Sequence, residues 1–121
     1  MYFLFALLFL FAGCSNKQEI HHNERYYQTI LCQKLDGEME YVLKDRTRVD
    51  CLTKEYAIEV DFGKKWAESI GQSLYYSAMT NKKPAIAIIV DIQKEKRYLK
   101  RLNLIAQKYN IKLFILEKEN K

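Results

Sequence analysis

The chain is poor in residues that break, staple or metallate a fold. It has one proline, four glycines and three cysteines in 121 residues, with no internal repeat and no low-complexity tract. A repeat architecture is therefore excluded, and the length allows one domain with a core large enough to fold alone. The cysteines match no metal-ligand spacing. The only histidines, His21 and His22, are adjacent and cannot face one site on a helix; they read as part of a solvated tether. No apolar run reaches the roughly 20 residues that a membrane-spanning helix needs. Neither sign of charge dominates: 20 basic and 15 acidic residues give a net +5, which tolerates a polyanionic partner without demanding one.

What is present begins at the N-terminus. Residues 1–13, MYFLFALLFLFAG, are uninterrupted apolar sequence with no preceding Lys or Arg, the length of a signal-peptide h-region closed by small residues. Cys14 follows, and Leu10-Phe11-Ala12-Gly13-Cys14 resembles a bacterial lipobox, in which the cysteine is lipidated and becomes the new N-terminus. Residues 14–22 would then be the lipidated cysteine and its polar tether, and residues 23–121 the domain. The resemblance implies a lipid-anchored protein of the bacterial cell envelope, held to the membrane through Cys14; a cytoplasmic chain is the alternative if the signal does not operate. Cys32 and Cys51 could pair in an oxidising compartment, but two buried thiols is the favoured reading.

The periodicity predicts an α/β domain in the order α-β-β-β-α-β-α-β. Asn23 is placed to cap a helix reaching Leu35, with Tyr27, Ile30, Leu31 and Leu35 inward. Asp36-Gly37 reads as a turn. Glu38–Leu43, Arg46–Leu52 and Tyr56–Phe62 alternate as strands, with Val49 and Cys51 facing one way and Asp50 the other. Gly63 opens a helix from about Lys64 to Met79, whose apolar stripe is Trp66, Ala67, Ile70, Leu74 and Ala78. Trp66 reads as core. Ala85–Val90 is apolar throughout, which fits a strand buried on both faces and parallel to a neighbour. A helix over Lys94–Tyr109, with Leu99, Leu102, Ile105, Ala106 and Tyr109 inward, and a strand over Ile111–Leu116 complete a mixed sheet with helices on both faces.

The residues that carry chemistry fall between Asp50 and Tyr76. Asp50 lies near the end of the second strand and Glu59 and Asp61 on one face of the third; Asp50 and Glu59 are expected to be exposed on the site face. Two converging carboxylates make an oxygen-rich site for Mg²⁺ or Mn²⁺, and such an ion can activate water against a phosphodiester. On the following helix Lys65, Glu68 or Ser69, Gln72 and Tyr76 share a stripe that could hold a nucleic-acid backbone.

This pattern resembles the PD-(D/E)XK nuclease superfamily, with its restriction-endonuclease-like fold, over roughly Glu24 to Leu116. Asp50 matches the acid of the second strand and Glu59 the acid of the D/E-X-K motif. The position of the motif's lysine holds Asp61. The resemblance implies that a lysine of the following helix, Lys65 or Lys64, takes that role, as in some branches. Gln72-Ser73-Leu74-Tyr75-Tyr76 resembles the Q-x-x-x-Y element of the helicase-associated exonucleases. Glu24 would match the additional helical acid of some members, with Glu38 or Glu40 as competitors. The expectation is a metal-dependent nuclease acting on nucleic acid, DNA first, with Asp50, Glu59, Lys65, Lys64, Gln72 and Tyr76 catalytic and Asp50, Glu59 and Glu24 holding Mg²⁺ or Mn²⁺. The alternative is a non-catalytic lipoprotein on a nuclease-like fold.

Overall fold

The structure, a computed structural model, describes residues 20–119. The signal-like segment and Cys14 lie outside the described residues. The elements are α1 (Glu24–Lys34), β1 (Glu38–Val42), β2 (Arg48–Leu52), β3 (Tyr56–Phe62), a 3-10 turn (Gly63–Lys65), α2 (Trp66–Thr80), β4 (Lys83–Val90), α3 (Lys96–Tyr109) and β5 (Lys112–Glu117). The 3-10 turn between β3 and α2 has no counterpart in the expected order. The strands form one mixed sheet in the order β1-β2-β3-β4-β5. The pairs β1/β2 and β2/β3 are antiparallel, and β3/β4 and β4/β5 are parallel.

Alternation along β4 divides the core between the two faces. Ala85, Ala87 and Ile89 pack with Ile58, Val60 and, from α1, Tyr27, Leu31 and Cys32. Ile86, Ile88 and Val90 pack with Leu102 and Ala106 of α3 and with Trp66 and Ile70 of α2. Helix α1 thus covers one face, and α2 with α3 the other. Asn23 caps α1 as expected, its Oδ1 accepting the Tyr26 N–H at 3.0 Å. The last turns of α2 and α3 end on Asn81 and Asn110, both left-handed (φ 61° and 56°), a conformation asparagine tolerates better than most side chains.

Several inward faces differ from expectation. Helix α1 buries Tyr27, Gln28, Leu31 and Cys32, while Ile30 is exposed. Helix α2 buries Ser69, Ser73 and Tyr76; Ala67, Leu74 and Ala78 are exposed and Trp66 is only half-buried, its ring 5.9 Å below the Arg101 guanidinium. The sheet face beneath α2 carries Glu59 and Asp61; Ser69 and Ser73 turn inward, Leu74 and Ala78 turn outward, and Trp66 and Ile70 pack from the side against the α3 core. In α3, Leu102 and Ala106 are buried but Tyr109 is exposed. His22, expected in a solvated tether, stacks on Tyr26 at 3.7 Å between centroids and pairs with Glu119 at 3.6 Å.

Cys32 and Cys51 form a disulfide, which replaces the favoured reading of two buried thiols. Gly37 serves this bond. The left-handed residue of the turn is Asp36 (φ 53°), not the glycine. A Cβ on Gly37 would fall 2.4 Å from Cys51 Sγ and 2.8 Å from Cys32 Sγ, well inside contact distance.

Candidate active site

The site is a notch in the sheet. The β2/β3 ladder contains only Cys51 opposite Ile58 and Leu52 opposite Ala57, although β3 continues to Phe62. Beyond Cys51 the strands part, and the Val60 N–H donates to Asp50 Oδ2 at 2.7 Å. A carboxylate thus takes the place of a ladder carbonyl. Asp50 also marks a break in alternation: Val49 and Cys51 are both buried, but Val49 packs with Leu43, Ala57 and Tyr76, whereas Cys51 joins the α1 core.

Glu59 and Asp61 alternate with Ile58 and Val60 and stand opposite Ile86 and Ile88, so they face α2. Each is 4% exposed, which corrects the expectation that Glu59 is exposed on the site face; Asp50 is half-buried. Glu24 of α1 reaches Asp61 although α1 lies on the opposite face, because β2 does not close the sheet there. Four carboxylates, in two neighbouring pairs, therefore line the place where the sheet is open.

Their protonation follows from burial and mutual repulsion. Burial, then the charge of Asp50 and a hydrogen bond to it, hold Glu59 protonated; Asp61 and Glu24 add to this. Burial likewise raises Asp50, opposed by the Val60 N–H and by the bond from Glu59. Glu24 is pushed up to about 7 by burial and by Asp61 and Asp50, with Lys65 pulling the other way. Asp61 is raised by burial and lowered by Lys65. Burial and mutual repulsion thus raise both members of each neighbouring pair, Asp50 with Glu59 and Glu24 with Asp61. Glu59 Oε2 is buried with no hydrogen-bond partner among the described residues, a costly state for a polar oxygen.

Of the two candidate lysines, Lys65 is the one whose charge acts on Glu24 and Asp61. Lys64 instead lines a separate cavity of about 430 Å³ with His22, Phe62, Asp91 and Lys118. Tyr76 is buried beside the notch, its phenol raised by burial and by Glu59 and Asp50, and hydrogen-bonded to the exposed Gln72. Among the acids weighed for the α1 position, Glu24 is in the cluster. Glu40 stands at its margin, accepting from Gln28 at 3.0 Å and pairing with Arg25 at 3.7 Å. Glu38 sits on β1 opposite Leu52.

Gln28 escaped the sequence reading. It is buried and donates to the Asp50 carbonyl at 2.8 Å. Its signal is spacing: Glu24, Gln28 and Cys32 recur every four residues on α1, and each fastens the helix to the notch.

The donors suit a hard divalent cation in kind, being carboxylate oxygens with one left unpartnered. Among the described residues no group of three or more Asp, Glu, His or Cys side chains is already drawn together to hold an ion; the carboxylates stand pair by pair. No known protein family matches the chain, and no curated protein or solved structure is detectably similar to it.

Proposed function

We propose that the chain is a metal-dependent nuclease on a restriction-endonuclease-like fold, hydrolysing phosphodiester bonds, DNA first, in a lipid-anchored protein of the cell envelope. The observation that carries this reading is the buried Glu59, with its orphaned Oε2, beside the half-buried Asp50. A buried carboxyl that burial holds above its ordinary range, set against a half-buried one and next to two more, is a poor structural element, because burial favours neither charge nor orphaned oxygens. It suits a cation that replaces the proton.

Asp50 and Glu59 would hold Mg²⁺ or Mn²⁺, with Glu24 completing the set. When bound, such an ion polarises the phosphodiester and lowers the pKa of the attacking water. Lys65, at the edge of the carboxylates, compensates negative charge that develops on the phosphate. It does so from the 3-10 turn, while the motif's own lysine position is filled by Asp61. Tyr76, with Gln72 bonded to it, walls the notch on the α2 side and presents a hydroxyl to a bound backbone. The disulfide supports the envelope location, since such bonds persist chiefly in oxidising compartments.

The test is cleavage of plasmid and single-stranded DNA by the full chain in non-ionic detergent, with Mg²⁺ or Mn²⁺, with EDTA, and with Asp50→Ala and Glu59→Ala. Metal-dependent cutting that disappears in both variants supports the nuclease. A second reading, a non-catalytic lipoprotein, is favoured by Asp61 in the lysine position and by carboxylates that stand in pairs. A folded chain that neither cuts nor binds the ion would establish that reading instead.

A further inference from the structure

The excess charge of the molecule is concentrated in one place. Helix α3 carries Lys96, Arg97, Lys100, Arg101 and Lys108 and no acidic residue. Setting these five aside leaves 15 basic against 15 acidic residues, so α3 accounts for the whole net charge of +5. At 3.6 residues per turn the five fall within an arc of about 140°. All are exposed, opposite the buried Leu102 and Ala106. None forms an ion pair with a carboxylate among the described residues.

A merely solvated helix face is usually built differently. It mixes signs, so that residues four apart attract. Here Lys96 with Lys100 and Arg97 with Arg101 repel at that spacing, and Lys96 and Arg97 occupy the first turn, where the helix dipole disfavours cations. The local arrangement is unfavourable on both counts and gains from an external polyanion.

The face also leads to the notch. Tyr98 lies against Gly63, within 3.1 Å of where a Cβ would stand, and Arg101 covers Trp66, so the start of α3 adjoins the 3-10 turn that carries Lys65 to the carboxylates. The guanidinium of Arg97 rests 4.3 Å from the Tyr98 ring centroid and donates to the Lys94 carbonyl at 3.2 Å and the Tyr98 hydroxyl at 2.9 Å, which holds it at the surface with its remaining N–H groups open to phosphate oxygens.

We propose that α3 is a phosphate-backbone surface that binds nucleic acid and leads it to the carboxylate notch. This rests on the hydrolytic reading of the notch. A nucleic acid fits better than an anionic membrane, because a helix that lies in a bilayer surface needs an apolar face to insert. The apolar side of α3 is already packed on the sheet, and Leu104 is the one large aliphatic side chain within the basic arc.

The test is fluorescence anisotropy of the full chain in non-ionic detergent with EDTA, using a labelled single-stranded oligonucleotide and the corresponding duplex. Five phosphate contacts predict a slope of log K against log salt of about −4.5 for duplex, or roughly 500-fold weaker binding between 50 and 200 mM salt. Lys96→Glu/Lys100→Glu should weaken binding at least about 30-fold and lessen the slope by about 2. Lys96→Gln/Lys100→Gln should fall between, and a thermal melt confirms that both variants are folded. Lys34→Gln, an exposed lysine of α1 on the other side of the sheet, should bind like the wild type. Unchanged binding in the charge variants, or binding confined to vesicles rich in phosphatidylserine, overturns the proposal. Binding through α3 without metal-dependent cutting sinks the hydrolytic reading alone; cutting that ignores the α3 charges sinks this inference alone.

Discussion

Glu59→Gln isolates the shared proton. In the folded chain Glu59 keeps its proton at neutral pH because it is buried against Asp50, Asp61 and Glu24. In the unfolded chain it ionises near its ordinary 4.5. A carboxyl raised in this way contributes its stability fully below the unfolded value, and that contribution is lost as pH rises toward the folded one. The interval from 4.5 to neutrality corresponds to about 3 kcal/mol, at about 1.4 kcal/mol per pH unit. Glutamine is neutral at every pH and can donate to Asp50 as the protonated acid does, so the variant escapes that loss. With EDTA present, wild type should lose stability from pH 5 to pH 8, while the variant loses much less and is the more stable of the two at pH 7, by about 2–3 kcal/mol. Urea denaturation at several pH values measures both slopes. Mn²⁺ should then stabilise wild type and leave the variant unmoved. Parallel slopes, or a variant weaker than wild type at pH 7, would show that Glu59 is ionised and otherwise satisfied, and the shared-proton site would be refuted.

Three further outcomes follow from the geometry. Lys65→Ala should lower the cleavage rate more than it lowers metal affinity, whereas Lys64→Ala, whose side chain lines the separate cavity, should leave cleavage intact; single-turnover rates with metal titrations separate the two. Reduction of the Cys32–Cys51 bond, or Cys32→Ser with Cys51→Ser, should cost about 3 kcal/mol for a loop of this length. Gly37→Ala should hinder closure of the bond, read as free thiol by alkylation and mass spectrometry.

The sequence carries the α/β class because its cues are local. Asn23 caps, Asn81 ends a helix, and the apolar run from Ala85 to Val90 announces a strand covered on both faces. The inner face of α2 was not legible. Its sequence offers an apolar stripe through Trp66, Ile70 and Leu74 and a small polar one through Ser69 and Ser73. Trp66 and Ile70 still pack on the α3 side of the core, but Ser69 and Ser73 rather than Leu74 turn fully inward, above an acidic sheet face that is a tertiary fact. The burial of Glu59 and Asp61 was hidden for a related reason. Charged side chains read as exposed because isolated buried charge is costly, and proton sharing between Glu59 and Asp50, which removes the charge, depends on β2 leaving β3. The partnership of Cys32 with Cys51 likewise depends on where α1 docks. Gln28 was detectable only as the middle of a four-residue rhythm that runs from Glu24 to Cys32.

The hydrogen bond from Val60 to Asp50 gives the notch a spectroscopic voice. An amide that donates to a carboxylate, rather than to a peptide carbonyl, changes its chemical shift when that carboxylate gains a proton or a cation. The Val60 N–H is such an amide, in the middle of a strand whose other face is fully packed. Its backbone resonance therefore follows the charge state of Asp50 without any label in the site. Protonation and ion capture would reach the same nucleus by the same bond and be told apart by which titrant moves it.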